Sequence, residues 1–115
     1  DISTLLNEVS IKELLSILID YAIKHSYKNS TININLKSNA NNIVLLVKNK
    51  GDNISSEDRD KIFERFYRVD KSRNRNNNRY GLGLAIAKNI VLNHNGEISV
   101  ESGNHITTFK VVFKK

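Results

Sequence analysis

The sequence predicts an α+β domain in which helices cover one face of a mixed, mostly antiparallel sheet. Two segments repeat apolar residues at three- and four-residue steps, which is the period of an amphipathic helix. Two pairs of short segments alternate apolar and polar residues, and a turn sequence joins the members of each pair. Because helices interrupt the strand pairs, this order fits a two-layer α/β sandwich and not a doubly wound parallel sheet.

The first third of the chain predicts a helix followed by a hairpin. We expect the helix over 11–25, where apolar residues recur on one face. Residues 31–38 alternate apolar and polar side chains, which predicts a half-buried strand. The Asn-rich sequence 39–42 predicts a turn, so 43–47 is expected to return as an antiparallel second strand.

The middle of the chain predicts a loop, a short helix and a longer loop. Residues 49–53 surround Gly51, and Ser55 or Ser56 is expected to cap the short helix. Residues 68–80 are basic and rich in Asn, without apolar periodicity. A loop of this length in a compact domain is typical of a lid over a binding site or of a disordered segment.

The last third predicts a helix and a second hairpin. Apolar residues form one face of 81–95, and the helix is expected to end at Asn95. Strands are expected over 97–102 and 106–113, with a turn at 103–104. The chain therefore ends in a second antiparallel pair of strands.

Composition places the chain among globular domains. Its 115 residues are enough for one domain with a packed core, and 39% of them are hydrophobic and 26% charged. The sequence has no Cys, which excludes disulfides, a thiolate nucleophile and cysteine-ligated zinc. No apolar run approaches the ~18 residues of a membrane span. Since the chain starts at Asp1 without Met, we expect 1–115 to be one domain excised from a longer protein.

The positive charge is concentrated in one segment. The net charge is +6, and 65–79 carries six basic residues against the single acid Asp70. A basic balance permits nucleic acid, an acidic membrane or a phosphorylated ligand as partner. One basic loop with few aromatic residues among its charges favours a local anion site over a broad nucleic-acid surface.

The end of that loop carries the motif with the clearest chemistry. The sequence 81–88 (GLGLAIAK) places two glycines at the start of a helix. Glycine lets the backbone approach a ligand closely, and a helix N-terminus presents N–H groups and partial positive charge to phosphate oxygens. A Gly-x-Gly pattern also occurs at ordinary helix starts, so its interpretation depends on the rest of the chain.

Four segments together resemble the ATP-binding domain of bacterial sensor histidine kinases. In chain order they are 18–26 (LIDYAIKHS), 49–51 (NKG), 62–68 (IFERFYR) and 81–87 (GLGLAIA). The last two segments, taken as a pair, are highly specific to this family, and the resemblance extends from Leu14 to Phe113. The family shares the Bergerat nucleotide fold with gyrase-type and Hsp90-type ATPases. The resemblance therefore implies ATP and Mg²⁺ as cofactors.

For the phosphates, the resemblance implies cations and backbone amides. Lys24 matches a helix lysine that reaches toward the phosphates, and Arg68 and Lys71 match cations of the lid. The backbone expected to wrap the phosphates is that of Gly81, Leu82, Gly83 and Leu84. For Lys24 and Lys71 the alternative is a solvated surface lysine. Phe63 and Phe66 match supports of the lid, with ordinary core aromatics as the alternative.

For the base, the resemblance implies a pocket at the end of the second strand. Asn49 stands where the family usually has an Asp that accepts a hydrogen bond from the adenine amino group, and an amide oxygen accepts the same bond. Gly51 lets the loop pass close to the base, and Ile54 packs against it. Thr107 and Thr108 match the last motif, where a hydroxyl lines the adenine pocket, and we assign Thr108 to the site.

The position of the metal ligand departs from the family. Tyr21 stands where the pattern has an Asn that binds Mg²⁺ between the phosphates. A neutral phenol with a pKa near 10 is bulky and a poor ligand for an ion that takes compact oxygens at about 2.1 Å. Asp20 beside it is either a holder of metal-bound water or a surface acid. Other residues of the pattern are replaced by Ile17, Asn53, Arg79 and Ile106.

The leading hypothesis is the catalytic domain of a two-component sensor histidine kinase. Such a domain transfers the γ-phosphate of ATP to a His on an upstream helical domain, and none of His25, His94 and His105 matches that acceptor. The resemblance implies that helical domain, a homodimeric parent and a response regulator as partners. It also implies the cytoplasmic domain of a membrane protein that itself contacts neither membrane nor nucleic acid.

Two alternatives belong to other classes. The substitutions at Tyr21, Asn53, Arg79 and Ile106 motivate a degenerate kinase module with weakened ATP and Mg²⁺ binding, which acts as a binding or scaffolding domain. Nucleic-acid binding through the basic loop is the third and least favoured hypothesis, because those charges lie inside a lid pattern.

Overall fold

The computed structural model describes residues 8–65, 67 and 82–114. Its helices are α1 (Glu8–His25), α2 (Ser56–Lys61) and α3 (Gly83–Asn93), and its strands are β1 (Asn33–Ser38), β2 (Asn42–Lys50), β3 (Gly96–Gly103) and β4 (Ile106–Lys114). The predicted order of elements is confirmed over this part of the chain. Phe66 and the predicted lid, 68–80, lie outside the described residues.

The four strands form one sheet in the order β1-β2-β4-β3. Each neighbouring pair is antiparallel, and β2 and β4 pair continuously from Asn42 opposite Lys114 to Lys50 opposite Ile106. The two predicted hairpins are thus joined through their second strands. Within the described residues all three pairings are antiparallel, which confirms the α+β sandwich and shows no parallel pair there.

The core lies between the helix layer and one face of this sheet. Helix α1 packs on β2 and on α3, and α3 packs on β3. Alternate residues of β2 and β4 are buried, as a sheet with one covered face requires. Phe109 at the middle of β4 is fully buried, together with Leu14 and Leu18 of α1. Each such side chain contributes about 2 kcal/mol through removal of its apolar surface from water.

The prediction of a half-buried first strand was wrong. All six side chains of β1 are exposed, with Ile34 at 49% and Leu36 at 58%. These two residues lie opposite Val47 and Leu45, so they are on the face that the helices cover further along the sheet. Within the described residues β1 lies at one of the two edges of the sheet, and α1 and α3 pack mainly on β2 and β3. Alternation therefore identified the strand correctly but not its burial.

Side chains and left-handed residues fix the turns. Ser55 caps α2 by accepting a hydrogen bond from the Asp58 N–H at 3.1 Å. Asn104 and His105 have φ of 53° and 62°, which is the two-residue hairpin geometry favoured by the twist of the strands. The predicted turn at 103–104 is thus displaced by one residue, because Gly103 still belongs to β3. No helix within the described ranges is long and apolar enough to cross a membrane.

Candidate functional site

Three polar side chains form a row across the helix-facing side of the sheet. Asn49 of β2 lies opposite Thr107 of β4, and Thr107 lies opposite Ser102 of β3. Asn49 is 3% exposed and Thr107 2% exposed, and they are the buried polar residues among the described ranges. The row continues the inward-facing positions that hold Val47 and Phe109 one step earlier. Burial of polar groups at the end of an apolar row indicates a binding function more than a stabilising one.

Asn49 carries an unsatisfied acceptor. Its side-chain Oδ1 is buried and has no hydrogen-bond partner among the described residues. A buried polar atom without a partner costs about 1–3 kcal/mol, so native proteins rarely keep one without a reason. An N–H donor on a ligand would satisfy this oxygen. Asn49 is therefore the strongest single indication of a ligand at this end of the sheet.

Hydrogen bonds tie the loop after β2 to β3. The Ile54 N–H donates to Ser102 Oγ at 2.8 Å, and Ser102 Oγ lies 3.2 Å from Thr107 Oγ1. Arg59 Nη1 donates to the carbonyl oxygens of Ile54 at 3.0 Å and Ser102 at 2.9 Å. Ile54 itself is buried in the core cluster. The apolar residue expected beside the base is thus held firmly next to the polar row.

Gly51 is required by the packing of the backbone. A Cβ at this position would lie 2.2 Å from the carbonyl oxygen of His25, the last residue of α1. The Gly51 N–H donates to the carbonyl of His105 at 3.0 Å. The close approach visible here is therefore to α1 and to the β3–β4 turn, whereas approach to a base remains a prediction.

Exposed side chains fasten the same junction from outside. The Tyr27 hydroxyl donates to Asp52 Oδ1 at 3.1 Å and lies 2.8 Å from His105 Nδ1. Asn53, which replaces a Gly of the family pattern, accepts the His105 N–H at 2.8 Å. This contact gives Asn53 a structural role in holding the β3–β4 turn.

Tyr21 does not offer a metal ligand. Its ring stacks on His25 with centroids 4.1 Å apart and meets the ring of Phe109 edge-on at 5.2 Å. Burial, with a smaller effect of the Asp58 carboxylate, raises the pKa of Tyr21 above its usual value, so the phenol stays neutral. No group of three His, Cys, Asp or Glu residues suited to a metal occurs in the described part of the chain. The residues at this end of α1 thus do not fit the Mg²⁺ site of the family.

Asp58 of α2 contacts the segment before the predicted lid. The Tyr67 hydroxyl donates to Asp58 Oδ1, and this bond is the main reason that the pKa of Tyr67 is raised to about 12. Tyr67 directly precedes Arg68, so α2 anchors the last described residue before that segment. Phe63, on the same side, meets Phe109 edge-on at 6.2 Å and lies beneath the Lys88 ammonium at 5.9 Å.

The residues expected to contact phosphates lie at the start of α3 and the end of α1. Leu82 is the N-cap of α3 and makes no side-chain capping bond, while Gly83 and Leu84 are buried in the first turn. Lys24 is exposed in the last turn of α1. An uncapped helix start leaves backbone N–H groups for another acceptor. Arg68, Lys71 and Gly81 lie outside the described residues.

The assignment of Thr108 to the pocket needs correction. Thr108 pairs with the exposed Lys48, and successive residues of a strand point to opposite faces. Its side chain therefore lies on the face away from the helices, and Thr107 is the hydroxyl beside Asn49. Sequence reasoning also missed Ser102 and Arg59. The signal for Ser102 was available, because Ile98, Val100 and Ser102 share the inward face of β3.

Comparison with known proteins identifies the family. Residues 6–115 match the family described as histidine kinase-, DNA gyrase B- and HSP90-like ATPase. The chain is 43% identical over 110 residues to the signal transduction histidine-protein kinase ArlS of Staphylococcus haemolyticus, covering 95% of this chain and 24% of that protein. It is 41% identical over 95 residues to the sensor protein CiaH of Streptococcus pneumoniae, covering 83% of this chain and 21% of that protein.

Solved structures show the same fold. A mycobacterial sensor histidine kinase, MprB, superposes with a TM-score of 0.81 at 26% identity, over 92% of this chain and 72% of that one. The nucleotide-free catalytic domain of the histidine kinase ThkA gives a TM-score of 0.81 at 26% identity, over 96% of this chain and 69% of that one. The chain spans about a quarter of the length of the curated relatives. It belongs to the histidine kinase-, DNA gyrase B- and HSP90-like ATPase family, and it is similar in sequence and fold to the catalytic domains of sensor histidine kinases.

Proposed function

We propose that this domain binds ATP between the polar row and the start of α3 and delivers the γ-phosphate to a histidine elsewhere in the parent protein. The observation that carries the proposal is the buried, unpartnered Oδ1 of Asn49, with Thr107 and Ile54 beside it. Membership of an ATPase family and similarity to named histidine kinases support the same conclusion.

At the base end, the residues match an adenine. The exocyclic amino group of adenine donates to Asn49 Oδ1, which replaces the missing partner of that oxygen. Ile54 packs on the ring, and Gly51 keeps the loop close to α1 so that the pocket retains its shape. The row on the sheet is held by backbone pairing, which preorganises the base site before the ligand arrives.

At the phosphate end, this chain supplies positive charge and backbone donors. The N–H groups of Gly83 and Leu84 and the partial charge of α3 attract phosphate oxygens, and Lys24 adds a flexible ammonium. By the resemblance, Arg68, Lys71 and Gly81 complete this end. The reaction is an in-line displacement in which an acceptor His nitrogen bonds to the γ-phosphorus while the bond to the bridging oxygen breaks and ADP leaves. The domain contributes position and charge neutralisation.

Mg²⁺ ordinarily neutralises part of the triphosphate charge in phosphoryl transfer. Since the described residues around Tyr21 do not fit this ion, we derive no step that uses it. The same finding favours a second candidate function, a degenerate module that binds nucleotide weakly and acts as a scaffold. That candidate rests on the stacked, neutral phenol at the family's metal position.

The partners follow from the chemistry of transfer. We propose an upstream helical domain that carries the acceptor His, a homodimeric parent, and a response regulator that takes the phosphoryl group from that His. The relatives are named sensor kinases, which supports a membrane-anchored parent with this domain in the cytoplasm.

Calorimetric titration of the chain with ATP, with Mg²⁺ and with a chelator, tests the proposal. Mg²⁺-dependent tight binding supports the catalytic function, because the ion must then be held by groups other than the Tyr21 phenol. Weak binding that is equal in both buffers supports the scaffold. Absence of any adenine nucleotide binding at millimolar concentration contradicts both functions and leaves only the fold.

A further inference from the structure

We propose that Ser102 is a positioning residue that makes the Thr107 hydroxyl a hydrogen-bond donor toward a ring nitrogen of the bound base. The inference rests on the proposed function, since it requires a purine beside Asn49. It assigns the choice between purine bases to Asn49, Thr107 and Ser102 together, although Ser102 itself contacts no nucleotide.

The geometry places Thr107 between two polar neighbours. Ser102 Oγ lies 3.2 Å from Thr107 Oγ1, and the strand register places Asn49 on the other side of Thr107. Thr107 is 2% exposed, so water does not compete freely for its hydroxyl. The direction of its hydrogen bond is therefore set by its protein neighbours.

The direction follows from how Ser102 is already used. A hydroxyl has one proton to donate and two lone pairs that accept. Ser102 Oγ accepts the Ile54 N–H at 2.8 Å, and an oxygen that accepts one hydrogen bond becomes a better donor in the next. Ser102 thus donates to Thr107 Oγ1, and Thr107 keeps its own proton for the ligand.

The resulting pair of groups complements adenine. Asn49 Oδ1 is an acceptor, and Thr107 beside it is a donor. Adenine presents an amino donor next to the acceptor nitrogen N1, whereas guanine presents an acceptor oxygen next to an N1–H donor. Asn49 alone does not fix the choice, because rotation of its amide exchanges acceptor and donor. The ordered hydroxyl of Thr107 removes that ambiguity.

Arg59 keeps this arrangement in place without a ligand. Its guanidinium donates to the carbonyl oxygens of both Ile54 and Ser102, so it ties the loop to the strand. The Ile54 N–H therefore remains on Ser102, and the donor direction exists before the nucleotide binds.

The test compares ATP with 1-deaza-ATP, in which a C–H group replaces N1. Binding of both ligands is measured by calorimetry for the unchanged chain, Ser102→Ala, Ser102→Thr and the control Ser99→Ala, which removes an exposed hydroxyl from the same strand. We expect the unchanged chain and Ser99→Ala to prefer ATP by about tenfold, the worth of one hydrogen bond to a buried donor. Ser102→Ala should lose part of this preference, because Thr107 then no longer accepts the hydrogen bond that makes it a better donor, and Ser102→Thr should keep it.

A purely structural role for Ser102 would lower the affinity for both ligands by the same factor. An unchanged preference in Ser102→Ala therefore overturns the inference. The proposed function stays intact in that case, provided that the unchanged chain binds ATP. If the unchanged chain binds neither ligand, the proposed function fails and the inference with it. Thr107→Val provides a second route should Ser102→Ala not fold. It must abolish the preference, and a retained preference in this variant contradicts the inference.

Discussion

The two ends of the candidate nucleotide site differ in how completely this chain provides for the ligand. At the base end, Asn49, Thr107 and Ile54 are buried and fixed by strand pairing and by hydrogen bonds. At the phosphate end, the family's metal position holds Tyr21, whose ring packs on His25 and Phe109. The base end thus retains an unpaired acceptor for a ligand, whereas the α1 side of the phosphate end is filled by side-chain packing. On the proposed function, we therefore expect recognition of the base and handling of the triphosphate to be separable in this domain.

The largest expected effect is on stability, through the packing of Gly51 against the end of α1. Gly51→Ala should lower the free energy of unfolding by about 3 kcal/mol, because the new Cβ would lie 2.2 Å from the His25 carbonyl oxygen, which is backbone and has little room to shift. Thermal unfolding measures the loss. Gly103→Ala is the matched control, since a Cβ there meets nothing within 4 Å. Equal stability of the two variants would contradict the packing described for Gly51.

The next effect separates stability from binding at the base end. Asn49→Leu removes the unpartnered acceptor and should lower the affinity for ATP about tenfold or more, while the free energy of unfolding rises or stays unchanged. Calorimetry and thermal unfolding give the two quantities. Asn35→Leu, an exposed change on β1, is the control. Unchanged ATP affinity in Asn49→Leu would remove the main support for the proposed function.

A change at Tyr21 tests the other end. Tyr21→Asn restores a compact oxygen ligand and should raise the affinity for ATP about tenfold in Mg²⁺ but not in a chelating buffer. Tyr21→Phe, which keeps the ring contacts with His25 and Phe109, should leave the Mg²⁺ dependence as it is. Calorimetric titration in the two buffers decides. If Tyr21→Asn binds ATP with equal affinity in both buffers, Tyr21 does not account for the difference between the base end and the phosphate end.

The smallest effect concerns the hydrogen bond between the Tyr67 hydroxyl and Asp58 of α2. The hydrogen bond to Asp58 raises the pKa of Tyr67 from 10.0 to about 12. The raised pKa favours the neutral phenol in the folded chain, so its contribution to stability is present below pH 10 and is lost as the pH rises toward 12. In an ultraviolet titration, Tyr67→Phe should lack one ionisation near pH 12. Loss of an ionisation near pH 10 instead would show that the bond to Asp58 does not persist in solution.

Local patterns predicted most of the fold. Alternation located β2 and β4 because every second residue of these two strands is buried. The same alternation overstated the burial of β1, because burial at a sheet edge depends on what covers the strand and not on the period of its sequence. The order of the strands, with β4 in the interior, was also beyond local patterns, since register across the sheet arises from packing.

The candidate site was predictable where a motif names a residue and its face follows from pairing. The motif names Asn49 and Ile54, and both lie buried next to the polar row, while their contact with a nucleotide stays a prediction. The choice of Thr108 does not fit the pairing, because the motif contains two adjacent threonines on opposite faces. Arg59 was missed because it acts through the backbone carbonyl oxygens of Ile54 and Ser102, which no spacing in the sequence reveals. The inward face of β3 could be read from the sequence for Ser102, but its partner, the backbone N–H of Ile54, could not. For Tyr21, the sequence identified the substitution but not the stack with His25 that explains how a phenol is accommodated there.

The position of β4 has a consequence for how the protein forms during synthesis. This strand is made last among the described elements, yet it lies between β2 and β3 and supplies Thr107 and Phe109. The contact between Gly51 and His105 also joins residues more than fifty positions apart. When only the first two thirds of the domain have emerged from the ribosome, the nascent chain therefore exposes an incomplete sheet. We expect chaperones to meet this intermediate with the inner edge of β2 unpaired, and nucleotide recognition to appear only after the final hairpin has emerged.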